Sequence, residues 1–293
     1  MIWHEFKKDD CSAASELLSV APENFLAKTL LKDSIFHLHI PKTGGSFLTK
    51  VLNSSNIKFY SPSHRKCNPD INLYPDPTDA IPRTGIFQDQ PGFSESLRIS
   101  IIRNPFEWLV SYYFHSHRIN FPESTDFLDN SLGVGGIRTI YSSFDTFVEA
   151  YCNEEMYWPK GMAEFRRFYP FQIFDSTGEC QAHFILKNSM QNDKLTTSLR
   201  TSIICLMSAF GYSPHGFPTN IAELLNKKIN VSDDKNHDYR SYYSDYQIKK
   251  LNKKWKDILE VFEYNFAGST GEKLIIDGEK LRYSFKENRL WKT

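Results

Sequence analysis

The sequence predicts an α/β protein with a mostly parallel sheet and helices on both of its faces. Residues 35–40, 98–102 and 183–186 are short, apolar segments with the composition of buried strands. Each of them is followed by a segment whose apolar residues recur at helical spacing. Because strands that alternate with helices pair most readily in parallel, these segments favour one sheet between two helical layers.

The helical segments follow the strands in order. Helices are predicted over residues 47–52, from Pro105 through Tyr113, over residues 144–151, 193–210 and 248–262. Asn104 before Pro105 is a good helix cap, and Gly211 is a good helix stop. Asp277-Gly278 predicts a hairpin between two short strands.

The chain is long enough for one large domain. It has 293 residues, of which 40% are hydrophobic, so a substantial core can form. We expect residues 1–33 to form an N-terminal helical extension and residues 34–293 to form a single domain.

Composition excludes some classes of function. Lys+Arg and Asp+Glu are both 35, so the whole surface is not built to attract nucleic acid, although a local basic pocket remains compatible with this balance. The 5 cysteines are dispersed, which is typical of reduced thiols in the cytoplasm. No zinc signature, signal peptide or membrane span is predicted. We therefore expect a cytoplasmic protein without a metal, a nucleic-acid partner or a membrane span.

The first motif, HIPKTGGSFL, spans residues 39–48 and connects the first strand to its helix. Gly44 and Gly45 permit a tight turn and a close approach to a ligand. The N–H groups and the dipole at the helix start favour an anion, to which Lys42 adds charge and Ser46 a hydroxyl donor. A nucleoside-triphosphate loop fits poorly, because its lysine follows the glycines whereas Lys42 precedes them. The motif predicts a site for a phosphate or phosphosulfate.

The second motif, IIRNPFEWLVSYY, spans residues 101–113 and crosses the next junction between a strand and a helix. Arg103 stands at the strand end, and Ser111 lies about two helical turns beyond the Asn104 cap. An arginine fork and a hydroxyl in these positions can converge on one phosphate. Two such motifs predict a ligand with two separate phosphates.

These two motifs resemble those of sulfotransferases that use 3′-phosphoadenosine 5′-phosphosulfate (PAPS). The similarity is greatest to the carbohydrate-type branch, which includes heparan sulfate 2-O-sulfotransferase and bacterial relatives. Residues 229–232, 238–243 and 262–266 also resemble that branch. The chain departs from many relatives at Trp108, where they carry Arg or Lys, and at residues 186–188, where they carry Arg-x-Glu.

The resemblance implies a P-loop-like three-layer fold with a central parallel sheet. It also implies PAPS as the sulfuryl donor and adenosine 3′,5′-bisphosphate (PAP) as the product. The 5′-phosphosulfate would be held by Lys42, Thr43, Gly44, Gly45, Ser46 and Phe47. The 3′-phosphate would be held by Arg103 and Ser111.

The catalytic residues expected from this resemblance are Lys42 and His64. Lys42 and the loop amides would stabilise charge on the leaving phosphate during in-line transfer. The branch often takes its general base from the interval between the motifs. His64 is the first choice there, because the unperturbed pKa of a histidine suits a base at neutral pH, and Glu95 is the second. The alternative, that His64 is an exposed loop histidine, stays open. His37 and His39, within the first strand, are expected to be packed.

The acceptor is expected to be a hydroxyl or amine of a carbohydrate or small molecule. Aromatic residues in or beside the two irregular segments, 60–92 and 119–141, could border it, namely Tyr60, Tyr74, Phe87, Phe93, Phe121 and Phe127. Two other functions stay open from the sequence, namely a nucleotide kinase acting on a small molecule and a non-catalytic module that binds a nucleotide or glycan.

Overall fold

The computed structural model describes residues 19–40, 43–60, 88, 90–115, 141–153, 173–188, 190–191, 194–212, 238–284, 286–287 and 289–293. The α-helices in this part of the chain are α1 (Phe25–Leu30), α2 (Gly45–Asn53), α3 (Pro105–His115), α4 (Phe144–Asn153), α5 (Ser198–Ala209), α6 (Asp245–Lys254) and α7 (Lys256–Val261). The strands are β1 (Ser34–Leu38), β2 (Lys58–Tyr60), β3 (Leu97–Arg103), β4 (Phe184–Asn188), β5 (Met190–Gln191), β6 (Lys194–Thr197), β7 (Tyr264–Asn265), β8 (Gly268–Ser269), β9 (Ile275–Asp277), β10 (Leu281–Ser284) and β11 (Arg289–Lys292). Short 3₁₀ helices cover Tyr239–Tyr242 and Gly278–Lys280.

The main sheet has five strands in the order β2-β1-β3-β4-β9. Parallel pairing joins β1 to β2, β1 to β3 and β3 to β4, whereas β9 runs antiparallel to β4. The predicted mostly parallel sheet is therefore confirmed, with one antiparallel strand at its edge.

Each face of the sheet is covered by its own apolar cluster. Along β3, the side chains of Ile99 and Ile101 belong to one cluster and that of Ile102 to the other, as the two-residue period of a strand requires. The first cluster contains buried residues of α1, α2 and α5, and the second contains buried residues of α3, α4, α6 and α7. The three-layer α/β fold is confirmed.

The helix α1 packs against the sheet. Phe25 is fully buried, and its ring meets the ring of Phe184 edge to face with centroids 4.9 Å apart. Residues 1–18 lie outside the described residues, so the division of the chain at residue 33 stays a prediction. No described helix combines the length and the hydropathy that crossing a bilayer needs.

The helix predicted over residues 193–210 begins later than expected. Lys194–Thr197 instead form β6, which pairs antiparallel with β5, and α5 begins at Ser198. Two consecutive threonines favour this extended backbone, because β-branched side chains lose rotamer freedom in a helix. The predicted stop is correct, since Gly211 follows the helix with φ of +86°.

The hairpin predicted at Asp277-Gly278 is wrong. The strand before it, β9, pairs with β4, and the strand after it, β10, pairs with β11. The N–H of Gly278 donates to the carbonyl of His183 at 2.8 Å, which ties this turn to the start of β4. Long-range pairing has prevailed over a local turn signal.

Candidate functional site

The two motifs lie at the carboxyl ends of neighbouring parallel strands. The first joint, residues 43–47, follows β1, and the second joint, residues 103–111, begins at the last residue of β3. Because β1 and β3 are adjacent and parallel, both joints lie at the same edge of the sheet. Open α/β sheets bind ligands at this edge.

The first joint turns sharply at Gly44. Its φ is +117°, a conformation that glycine adopts without steric cost. A Cβ atom on Gly44 would lie 2.5 Å from Cδ2 of Leu199 and 2.9 Å from Nδ2 of Asn188. The helix α2 begins directly afterwards, with the N–H of Phe47 donating to the carbonyl of Gly44 at 2.9 Å. The loop is thus closely packed from the side of α5 and β4.

Two histidines at the end of the first strand segment, His37 and His39, lie next to this loop. His37 is fully buried and His39 is half-buried, and their ring centroids are 5.3 Å apart. A Cβ atom on Gly45 would lie 2.2 Å from Cδ2 of His39 and 2.8 Å from Cε1 of His37. Both rings therefore pack against the start of α2, as the sequence indicated.

The second joint is organised by Asn104. Its Oδ1 accepts a hydrogen bond from the N–H of Phe106 at 3.1 Å, which confirms the predicted cap. Its Nδ2 donates to the carbonyl of Asn265 at 2.8 Å. One side chain thus begins α3 and fixes the turn between β7 and β8 beside it.

Arg103 is oriented by a carboxylate that the sequence reasoning did not single out. Its Nε donates to Oε2 of Glu107 at 3.1 Å, and the Glu107 side chain is only 1% exposed. Ser111 is half-buried and lies one further turn along α3, so it shares the helix face of Glu107. The i to i+4 spacing of Arg103 and Glu107 was the signal available in the sequence.

Residues 238–243 and 262–266, which the sequence analysis singled out, lie beside the second joint. The hydroxyl of Tyr243 donates to the carbonyl of Phe106 at 2.7 Å, and the hydroxyl of Tyr239 donates to the carbonyl of Phe266. Phe106 and Phe266 meet edge to face with centroids 5.0 Å apart. Tyr243 and Phe266 thus pack against Phe106 at the start of α3, and Tyr239 is hydrogen-bonded to Phe266. Residues 229–232 lie outside the described part of the chain.

Trp108, in α3, is one of the two departures from the resemblance noted in the sequence. It is fully buried, and its ring stacks on that of Tyr112 with centroids 5.3 Å apart. The departure from the common pattern therefore adds to the apolar core rather than to an anion site.

Both residues predicted to be catalytic, Lys42 and His64, lie outside the described residues. Glu95, the second choice for the base, is exposed and stands two residues before β3. The seven-residue strand places it about 20 Å from the end that carries Arg103. That separation is too large for proton transfer at this edge of the sheet, and Glu95 is not a credible base there.

Of the aromatic residues predicted to border the acceptor, Tyr60 and Phe93 are described. Both pack against Phe36, with ring centroids 6.4 and 5.3 Å from it. They anchor the described ends of the irregular segment to the core. The remaining ones lie outside the described residues, namely Tyr74, Phe87, Phe121 and Phe127.

The sheet order, the helical layers and the glycine turn after β1 define a P-loop-like α/β protein. The model of the sulfotransferase family matches residues 29–265, a span that includes both joints and most of the main sheet. The chain belongs to the sulfotransferase family and is a transferase of sulfuryl groups. No curated protein matches the chain. The kinase alternative has no support from these findings.

Proposed function

We propose that the protein transfers a sulfuryl group from PAPS to a hydroxyl or amine of a carbohydrate or small molecule. The observation that carries this proposal is the placement of two anion-suited joints side by side at one edge of the sheet. Neighbouring strands are about 4.8 Å apart, so both joints are within reach of one nucleotide. A donor with phosphate groups on both the 3′ and 5′ positions fits this arrangement.

The first joint would hold the 5′-phosphosulfate. The N–H groups of residues 43–47 lie in and around the first turn of α2, where the helix dipole favours an anion. Lys42, next to this turn in the sequence, would stabilise the charge that develops on the leaving phosphate. The acceptor would attack sulfur in line with the breaking bond, and PAP would leave.

The second joint would hold the 3′-phosphate. The contact with Glu107 fixes the plane of the Arg103 guanidinium, and Ser111 supplies a hydroxyl from the same face of α3. Guanidinium groups bind phosphate through two parallel N–H donors, which favours a doubly phosphorylated nucleotide over a singly phosphorylated one.

His64 is the proposed general base, and no metal is assigned a role. Its residue type suits proton transfer near neutral pH, and it lies in the sequence interval between the two motifs. The proposal of a carbohydrate acceptor rests on the resemblance of residues 238–243 and 262–266 to carbohydrate-type sulfotransferases. Residues of these two segments contact Phe106. Exchange of His64 for alanine should slow turnover and leave PAP affinity unchanged; unchanged turnover would exclude it as the base.

The proposed cytoplasmic location is supported by the cysteines. Cys152, Cys180 and Cys205, which the structure describes, are free thiols. Burial raises the pKa of both Cys180 and Cys205 to about 12, so these two are unreactive core residues.

The experiment that tests the donor site is calorimetric titration with PAP and with adenosine 5′-monophosphate. Wild-type protein should bind PAP at least 10-fold more tightly, because only PAP fills the second joint. Arg103→Gln should abolish most of that preference, while its amide can still donate to Glu107 and avoid a buried unpaired carboxylate. Equal affinity of wild-type protein for the two nucleotides would refute the two-phosphate site.

The matched control is Arg98→Gln. Arg98 lies near the opposite end of the same strand, about 17 Å from Arg103, and its guanidinium packs on the ring of Phe93. This variant should keep the preference for PAP. Labelled sulfate supplied as PAPS to a panel of glycans and small metabolites then distinguishes a transferase from a module that only binds.

A further inference from the structure

Asn188 reaches across the sheet to the first joint. It is the last residue of β4, and β3 lies between β4 and β1 in the sheet. Two strand spacings amount to about 10 Å. Nevertheless, Nδ2 of Asn188 donates to the carbonyl oxygen of Thr43 at 2.5 Å. The loop that leaves β1 therefore extends over the end of β3 and is held there from β4.

The backbone of the same residue contacts the second joint. Asn188 is the register partner of Arg103 in the pairing of β3 with β4. Its carbonyl accepts a hydrogen bond from the N–H of Asn104 at 3.3 Å. One residue thus contacts the first joint through its side chain and the second joint through its backbone.

Burial and packing fix the orientation of the Asn188 amide. The residue is 7% exposed, and its Nδ2 lies against Gly44, where a Cβ atom would be 2.9 Å away. Its Oδ1 is buried and has no hydrogen-bond partner among the residues that the structure describes. Rotation of the amide by half a turn would set Oδ1 against the Thr43 oxygen, an unfavourable contact of two acceptors. Only the donating orientation satisfies Thr43.

We propose that Asn188 is a positioning residue for the nucleotide donor. It holds residues 43–47 at a fixed separation from Arg103, so that one nucleotide meets both joints at once. The inference rests on the proposed function, because it concerns the same donor site. A carboxylate in place of the Asn188 amide would have no proton with which to donate to Thr43 at neutral pH.

The test compares full-length wild-type protein, Asn188→Asp and Asn188→Ala in titrations with PAP between pH 5 and 8. Asn188→Asp keeps the shape of the side chain and places a carboxylate oxygen against the Thr43 carbonyl. At pH 7.5 it should bind PAP at least 10-fold more weakly than wild type. Its affinity relative to wild type should recover as the pH falls, because a protonated aspartic acid can donate to Thr43 again. The ratio at each pH cancels the protonation of PAP itself.

Asn188→Ala supplies the matched control. It loses the same donor without gaining a titratable group, so its deficit relative to wild type should be constant with pH. An Asn188→Asp ratio that does not change with pH, or affinities in both variants equal to wild type at pH 7.5, would overturn the positioning role.

Two further outcomes are separable. If circular dichroism shows that Asn188→Asp is unfolded, the test is amide hydrogen exchange in Asn188→Ala. Faster exchange of residues 43–47, with exchange in β1 and β3 unchanged, supports the positioning role. Unchanged exchange of residues 43–47 refutes it. Wild-type protein that binds no PAP refutes the donor site and the inference together. Wild-type binding with unaffected variants refutes the inference alone.

Discussion

Lys187 is a fully buried lysine in the middle layer of the protein. Its Nζ lies 3.8 Å from Oε2 of Glu263 and 5.0 Å from the ring centroid of Tyr264. Burial is the largest influence on this group and lowers its pKa to about 8, although Glu263 partly opposes the shift. The carboxylate of Glu263 is 37% exposed and also lies 3.7 Å from Nζ of Lys292. Nζ also donates to the carbonyl of Glu263 at 3.5 Å, but the lowered pKa indicates that the cost of burial exceeds the stabilisation of the charge.

Exchange of Lys187 for methionine should stabilise the protein at pH 7. Because the folded pKa lies below the ordinary value of 10.5, the cost of burying the charge is fully present below pH 8 and disappears as the pH rises to 10.5. Replacement of buried charges by apolar groups of similar volume often stabilises a protein, by about 1–4 kcal/mol. Urea unfolding at pH 7 and pH 10 measures this gain, which should shrink at the higher pH.

The control for this prediction is Lys292→Met. Lys292 contacts the same carboxylate but is 42% exposed, so its removal should change stability little at either pH. If Lys187→Met instead destabilises the protein equally at both pH values, the attraction to Glu263 outweighs the cost of burial.

At the level of elements, the first turn of α2 depends on its glycine for two reasons. Gly44 has a positive φ, and its surroundings leave no room for a Cβ atom. Gly211 has a positive φ of +86°, but a Cβ atom there would meet nothing within 4 Å. An alanine at Gly211 would therefore report the cost of backbone strain alone. An alanine at Gly44 would report that cost together with the cost of displacing the loop.

Gly44→Ala and Gly211→Ala should both lower the melting temperature, since a left-handed alanine costs about 1–2 kcal/mol. Only Gly44→Ala should weaken PAP binding, by at least 10-fold, because the new methyl group must push the loop away from Leu199 and Asn188. Thermal unfolding and titration with PAP measure the two effects. Similar PAP affinity in both variants would contradict a binding role for this turn.

Local signals in the sequence predicted the elements well wherever neighbours in the chain decide the structure. The Asn104 cap and the Gly211 stop are examples, because their partners lie within a few residues. Asp277-Gly278 failed as a hairpin signal because β9 pairs with β4 instead of with β10.

 Ile276 of β9 lies opposite Ile185 of β4, and these two residues stand 91 positions apart in the chain. No local turn signal carries information about a partner that distant.

In the candidate site, too, contacts between neighbours in the chain were predictable and long-range contacts were not. The contact between Arg103 and Glu107 lies within one helical turn, so the spacing alone could have indicated it. The contact between Asn188 and Thr43 could not be predicted, because it depends on the order of the strands in the sheet. Sequence motifs therefore indicated the loops that we propose as anion sites, whereas the contact between Asn188 and Thr43 became visible only in the fold.

At the level of the whole molecule, the segment after the family match completes the sheet. The match ends at residue 265, yet β9 lies beyond it and pairs with β4. Leu274, Ile275 and Ile276 are all buried, and the carbonyl of Leu274 accepts hydrogen bonds from the N–H of Lys187 and the hydroxyl of Ser202. The C-terminal segment is thus part of the core.

A chain that ends at Thr270 should fail to fold stably. This chain would lack the buried apolar residues Leu274, Ile275, Ile276, Leu281, Tyr283 and Leu290. At about 1.5–3 kcal/mol for each side chain, their loss is comparable with the whole stability of a typical domain. A chain that ends at Ser284 loses β11 with its one buried apolar residue, Leu290, and should fold with a lower melting temperature. Circular dichroism during heating measures the unfolding of both truncated chains. The prediction is contradicted if the chain that ends at Thr270 unfolds cooperatively near the melting temperature of the full chain.

The two outer strands of the main sheet have a consequence for behaviour at high concentration. Both β2 and β9 span only three residues. With a formal net charge of +0, molecules of this protein repel one another little near neutral pH. Because the outer strands are short, they expose few unpaired backbone N–H and C=O groups to a neighbouring molecule. The short outer strands therefore limit the association of sheets into fibrils, which charge repulsion does not prevent in this protein.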